Sequence, residues 1–399
     1  LIERSNKNNT LIITPCQPKK SFVETLESLM IIKSVNATKN SLEVKWNNGT
    51  TSDYPWHWLR DHSESSKDLH PATLQRQIDT FSSPFDSGAC KVFIDKSHKR
   101  VHIKWGDQSQ STLSTALLEC MAHPTAPQPK PSISAEIWHN SDDIKVLPEM
   151  TYDRLMSDKD GVKIWLNHIQ RIGFVLIHNS PTTAEATEKM MEKIAYIRNS
   201  IFGTFSVWDN KASNHEDTAF TSLEIEPHTD GTYVHDAPGL QTLHCLQREA
   251  IGGDNQFIDG LAIANEMQNQ HPQEFETLSN TQVPGRYIGE NIHLQTHRPV
   301  FRTNNDGAVL QVSFNNHDRA PFRLPDDEMA RFYEAYGIFH RLAHQAQRQF
   351  KYCLNPGTIL TFDNWRLLHG RAALTGYRQL CGGYHNREDF ESQLRANNL

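Results

Sequence analysis

His228-Thr229-Asp230 and, far downstream, His369 supply two imidazoles and one carboxylate. Grouped on one face of a ferrous ion, such donors leave the other positions open, as in non-haem Fe(II) oxygenases. Two open positions suit the 2-oxoacid end of 2-oxoglutarate, and one suits O2. The distal carboxylate of 2-oxoglutarate then needs a cation of matching shape. Arg378, shortly after His369, offers a guanidinium that can form two parallel hydrogen bonds, and Arg371 is the second choice. The reaction expected of this set is hydroxylation of an unactivated C–H bond, coupled to conversion of 2-oxoglutarate to succinate.

An H-x-D triplet alone is weak, and the chain has a second, His215-Glu216-Asp217. The contexts separate them. His228 follows the alternating run Leu223-Glu224-Ile225-Glu226, which reads as a strand, and a metal ligand needs such rigid support. His215 follows the polar, loop-like run Trp208–Asn214. Rival chemistries fare worse. A zinc hydrolase would call for H-E-x-x-H or H-x-x-E-H, and neither is present. A jelly-roll protein that merely binds metal has no use for a dicarboxylate anchor.

Many short strands must position these residues. Leu42-Glu43-Val44-Lys45-Trp46 alternates and meets Asn47-Asn48-Gly49, a hairpin turn. Lys91–Ile94 and Val101–Trp105 bracket a charged turn and predict a second hairpin. Pro124, Pro127, Pro129 and Pro131 favour an extended linker. The expected organisation is a small β-rich domain over 1–121, a linker over 122–132 and a catalytic domain over 133–399. In the last, Gly173–Ile177 reads as a buried strand. Thr182 with Glu185 reads as a capping box opening a helix whose face is Met190, Ile194, Ile197 and Ile201. Strands follow at Leu240–Leu246, Asn255–Ile258, Ala308–Phe314 and Thr358–Phe362, interrupted by a long helix from Asp326 to Gln349. The expected class is mainly β with helices, a jelly-roll with helices packed outside. The polar loop 204–216 is the natural lid.

Composition narrows the partners. The chain of 399 residues carries a net charge of −7 and no long basic block, which disfavours nucleic acid and anionic membrane. No apolar run is long enough to span a bilayer. The six cysteines are scattered without a C-x-x-C, which suits a reducing compartment, mitochondrial or cytoplasmic. Leu1 in place of Met is compatible with removal of a leader.

Several stretches resemble the trimethyllysine and gamma-butyrobetaine dioxygenase family, 2-oxoglutarate oxygenases of carnitine biosynthesis, and more closely its trimethyllysine branch. They are Trp58-Leu59-Arg60-Asp61-His62, Asp217–Phe220, His228-Thr229-Asp230, His244-Cys245-Leu246, Gly252-Gly253, Phe314-Asn315-Asn316, Asp363–Arg371 and Gly376–Gly382. The resemblance implies a double-stranded β-helix preceded by a small N-terminal domain, and a homodimer. It implies that His228, Asp230 and His369 bind iron and Arg378 binds 2-oxoglutarate. Asn315 would touch the polar end of the substrate, and Tyr384 would join an aromatic cage around a trimethylammonium. Asp217 stands where the trimethyllysine branch has Asp and the butyrobetaine branch has Asn. An acid there pairs with an α-ammonium, which butyrobetaine lacks. The substrate expected is a small amine-bearing acid, trimethyllysine first. Gamma-butyrobetaine or another amino acid or specialised metabolite is the alternative.

Two departures from the family pattern stand out. The cysteines and histidine that would hold zinc in the N-terminal domain are replaced by Ser63–Asp68 and by Trp105-Gly106-Asp107. No structural zinc is therefore expected, and His62 and His70 are read as leftovers. The cage positions read Phe202-Gly203-Thr204-Phe205-Ser206 and Phe220, which keep rings at Phe202 and Phe220 but not their hydroxyls.

Overall fold

The computed structural model describes residues 30–82, 89–123, 133–209 and 222–399. The prolines expected to form the linker lie outside the described residues, as do His215, Asp217 and Phe220. The chain divides into two compact units, Leu1–Lys130 and Pro131–Leu399.

In the first unit, β1 (Ile32–Ala37), β2 (Ser41–Trp46) and β3 (Thr51–Pro55) form one antiparallel sheet. A second is formed by β4 (Ala89–Ile94), β5 (Arg100–Trp105) and β6 (Gln110–Ser114). Both expected hairpins are present, β2–β3 and β4–β5. Alternation along β2 and β5 buries Leu42, Val44, Trp46, Val101, Ile103 and Trp105 in one core. His70 Nδ1 accepts the backbone N–H groups of Ala72 and Thr73, and His62 Nδ1 donates to the Trp58 carbonyl.

The second unit holds β7 (Glu149–Thr151), β8 (Phe174–His178), β9 (Ser206–Asp209), β10 (Ile225–His228), β11 (Leu240–Gly252) and β12 (Asn255–Asp259). After these come β13 (Val283–Gly289), β14 (Ile292–Arg298), β15 (Phe301–Thr303), β16 (Val309–Val312), β17 (Phe350–Tyr352), β18 (Ile359–Asp363), β19 (Leu367–Arg371) and β20 (Leu374–His385). Two sheets make the jelly-roll, ordered β7-β8-β18-β11-β20-β9 and β10-β19-β12-β17. Their facing sides share one core of Phe174, Leu360 and Phe362 from the larger sheet with Phe257 and Leu367 from the smaller. Outside the larger sheet pack the helices Gly161–Ile172 and Ala184–Ile194, through Trp165, Ile169, Met190 and Met191. Outside the smaller sheet pack Gly260–Gln270, Pro272–Asn280 and Asp326–Ala343, through Ile263, Leu278 and Phe339. Gly173 ends its helix at φ 96, a left-handed cap that costs glycine little, and turns the chain directly into β8.

Several local expectations change. The helix before β9 is capped by Thr183, whose Oγ1 accepts the Ala186 N–H, rather than by Thr182. Glu185 is then one position too early for a capping box. That helix ends at Ile194, so Ile197 and Ile201 lie beyond it; the Arg198 N–H instead donates to the Tyr384 carbonyl. The long helix stops at Ala343, and a short 3-10 turn, Ala346–Arg348, follows and directs Arg348 onto Glu266. Part of the expected lid, 206–209, is β9, an edge strand on β20. The β13–β14 hairpin was not anticipated.

Candidate active site

Strand periodicity carries the chemistry inward. On β19 the residues two apart are Leu367, His369 and Arg371, and Leu367 belongs to the core between the sheets. The intervening Leu368 packs on the helical side. On β20 the same rule sets Arg378, Leu380, Gly382 and Tyr384 on one face. Leu380 lies in that same core, and a side chain at Gly382 would strike the Thr242 carbonyl of β11. All of these except Leu367 line one cavity, together with His228 and Asp230.

His369 stands opposite His228 of β10 and opposite Phe257 of β12. The two imidazoles lie 4.3 Å apart at 45°. Both point Nε2 at the same carboxylate oxygen: Asp230 Oδ1 is 3.2 Å from His228 and 3.5 Å from His369. The three ligand atoms lie within 4.8 Å of one another. Two imidazole nitrogens and a carboxylate oxygen converging from one side fit a ferrous ion, and adjoining guanidiniums fit a dicarboxylate.

The surroundings fix each ligand. His228 Nδ1 donates to the Glu226 carbonyl at 2.8 Å, which leaves Nε2 free to ligate. Tyr384 donates its hydroxyl to Asp230 Oδ2 at 2.8 Å. Phe362 packs 4.7 Å from the His369 ring. Asn364 Oδ1 accepts the Asp230 N–H at 2.8 Å, and its Nδ2 donates to the carbonyls of Asp230 and Pro238. Arg366 binds Asp259 through two hydrogen bonds, 3.1 and 2.6 Å, in a buried pair. Asp363 accepts from Arg387 at 2.8 Å. The run Asp363–Arg366 thus braces the segment that carries Asp230 and leads into β19, which carries His369.

The electrostatics suit a metal. Burial alone would raise the Asp230 carboxyl, but His369 and His228 hold it well below the usual carboxylate range. Burial and the neighbouring His228 push the His369 imidazole down, towards the neutral form that ligates. Burial lowers His228, and Asp230 more than offsets this, so its pKa lies above the ordinary value. Arg378 is only 5% exposed and donates to the Gly253 carbonyl at 3.1 Å. Burial pushes its pKa down to about 10, with Arg371 adding to the effect, so it stays cationic at neutral pH. Arg371 is also buried and donates to the Leu223 carbonyl, which ties β19 to the approach to β10.

Phe202 and Asn315 line the same cavity. Sequence reasoning missed Tyr233, Tyr287 and Asp318, which line it too. Tyr287 lies 5.3 Å from Tyr233 and 6.2 Å from Phe202, ring to ring. Asn315 Nδ2 donates to Asp318 Oδ2 at 2.7 Å. Alternation in Arg286-Tyr287-Ile288 was the available signal for the Tyr287 strand; Tyr233 and Asp318 sit outside strands and carried none.

Residues 132–384 match the TauD, TfdA family of taurine catabolism dioxygenases, and residues 33–115 match the gamma-butyrobetaine hydroxylase-like N-terminal domain. Trimethyllysine dioxygenase of Meyerozyma guilliermondii is 33% identical over 381 residues, 90% of this chain and 94% of that one. Mitochondrial trimethyllysine dioxygenase of Bos taurus is 32% identical over 359 residues, 88% of this chain and 83% of that one. Gamma-butyrobetaine dioxygenase of Homo sapiens is 26% identical over 368 residues, 89% of this chain and 93% of that one. Matched over most of its length, and with His228, Asp230 and His369 grouped as donors that could hold a metal ion, the chain belongs to the TauD and TfdA dioxygenase family, as an Fe(II)- and 2-oxoglutarate-dependent oxygenase.

Proposed function

We propose that the chain hydroxylates trimethyllysine, a step of carnitine biosynthesis. The observation that carries this reading is one cavity beside the His228, Asp230 and His369 group that is lined both by aromatic rings and by an amide–carboxylate pair. The rings are those of Phe202, Tyr233 and Tyr287. Several rings attract a quaternary ammonium, by about 0.5–2 kcal/mol each. The pair is Asn315 hydrogen-bonded to Asp318. An amide and a carboxylate there suit an α-amino acid, and Asp217 is read as a second acid for the α-ammonium. Trimethyllysine has both groups, whereas gamma-butyrobetaine has only carboxylate at its polar end.

When bound, iron would activate O2, the oxidant, with two electrons drawn from the decarboxylation of 2-oxoglutarate and two from the C–H bond of the substrate. The chain supplies placement. His228, Asp230 and His369 hold the metal on one face, and Arg378 anchors the distal carboxylate of 2-oxoglutarate. The rings and the Asn315–Asp318 pair fix the substrate between them. A second reading keeps the chemistry and changes the substrate, favoured by Ser206, which lines the cavity with a hydroxyl donated to the Phe202 carbonyl where a ring would extend the cage.

A homodimer in a mitochondrial or cytoplasmic compartment completes the proposal. The Bos taurus relative is named mitochondrial, and among the described residues no helix is long and apolar enough to cross a membrane. The test is succinate release over trimethyllysine, gamma-butyrobetaine, lysine and related amines. Trimethyllysine should stand far above the rest. Succinate at the uncoupled background with trimethyllysine, the iron face being intact, would remove the carnitine reading and leave the oxygenase.

A further inference from the structure

Outside the iron face, a second group of metal-type donors meets on the neighbouring surface. Glu226, His340 and His344 place ligand atoms within 4.8 Å of one another. Glu226 is on β10, and the two histidines lie four apart at the end of the helix Asp326–Ala343. That spacing sets both rings on one helix face, and here they stack 3.9 Å apart at 19°. A fourth group, His317, brings Nε2 to 3.4 Å from Glu226 Oε2.

His344 decides what the group can hold. Its Nδ1 lies 2.7 Å from the His340 carbonyl, which only accepts, so Nδ1 carries the proton. In the neutral ring Nε2 is then a lone pair. It is buried, has no hydrogen-bond partner among the described residues, and lies 3.7 Å from Glu226 Oε2. A lone pair and a carboxylate oxygen face each other across a gap that a cation would fill. An Nδ1–H bound to a backbone carbonyl with Nε2 directed at a shared point is how a ligating histidine is normally oriented. Tetrahedral donors about 2.0–2.1 Å from zinc sit roughly 3.4 Å from one another. The separations of 3.4 Å from Glu226 to His317 and 3.7 Å from Glu226 to His344 fall near that value.

We propose that Glu226, His340 and His344 form a second, surface metal site for a divalent ion of the zinc class, with His317 as the remaining donor. Imidazoles with one carboxylate select zinc, nickel or copper over magnesium and calcium. The replacement of the family's zinc-holding cysteines in the N-terminal domain does not bear on it, because every donor is in the catalytic unit. The site is tied to the iron face, since Glu226 is the residue whose carbonyl orients iron ligand His228. His317 also lines the catalytic cavity beside Asn315 and Asp318. An ion there would fix the strand that presents His228.

The test is equilibrium dialysis of the full chain, stripped of metal by chelation, against cobalt(II) or zinc(II), with bound metal counted by elemental analysis. The wild type should bind two equivalents. His340→Ala/His344→Ala should bind one, and so should the milder His344→Gln if the double variant melts early by circular dichroism. Asp230→Ala, which disables the iron face, should retain one equivalent with the visible absorption of tetrahedral cobalt. One equivalent in the wild type would mean that a proton alone fills the gap. Two equivalents retained by folded His344→Gln and by the double variant would place the second ion elsewhere. Either result overturns the proposal.

Discussion

Tyr384 donates its hydroxyl to Oδ2 of Asp230 at 2.8 Å, while Oδ1 of the same carboxylate faces both imidazoles. The tyrosine therefore sets which oxygen of Asp230 is left to face the two imidazoles. Partners of this kind are worth about 10–100-fold in metal affinity. Tyr384→Phe should weaken Fe(II) binding by about that factor, read by metal titration, with a smaller effect on substrate KM. An unchanged iron affinity with a raised KM would return Tyr384 to a purely aromatic role in the cage.

Arg378→Ala should mainly raise the apparent KM for 2-oxoglutarate. Removing one partner of a buried charge-assisted pair costs about 2–5 kcal/mol. Arg371 braces the Leu223 carbonyl, so Arg371→Ala should instead weaken iron binding by loosening β10. A larger 2-oxoglutarate effect in Arg371→Ala would exchange the two roles.

Asp217→Asn and Asp318→Asn should each narrow the preference for trimethyllysine over gamma-butyrobetaine. A carboxylate in a water-poor pocket favours an α-ammonium and repels a lone carboxylate. Ratios of kcat/KM for the two substrates measure this. A ratio unmoved in both variants would place ammonium recognition elsewhere.

His244 is fully buried on β11, with Nδ1 2.6 Å from the Thr187 hydroxyl, and burial pushes its pKa down to about 4. Its unfolded value is near 6.5. The folded state thus resists protonation. The neutral ring contributes its full stability above about pH 6.5, and this is lost as pH falls towards 4. Urea unfolding at about pH 7 and about pH 4.5 should show wild type losing about 2–3 kcal/mol more than His244→Gln. Parallel losses would show that His244 titrates normally.

Legibility followed periodicity. His228 and Asp230 were singled out because a strand signal preceded them, and the register of β10 on β19, a strand that was not anticipated, sets His369 opposite His228. Arg378 was singled out by its distance past His369, yet the twelve-residue strand that sets it in the cavity was not legible. Glycines at 376, 382 and 383 hide that strand, although close strand approach is what requires Gly382. Thr182 and Thr183 read alike, and only the backbone dihedrals separate cap from neighbour. Tyr233 and Asp318 reach the cavity through tertiary folding of irregular segments, where no spacing rule applies.

The central claim is dioxygenase turnover of trimethyllysine at the His228–Asp230–His369 face, and isotopic labelling tests it most directly. Wild-type enzyme given Fe(II), 2-oxoglutarate and trimethyllysine under heavy-isotope O2 should place one labelled atom in succinate and one in hydroxylated trimethyllysine. The two products should form in equal amounts, and His369→Ala should abolish both. Product oxygen drawn from water, or equal turnover in His369→Ala, would contradict the account.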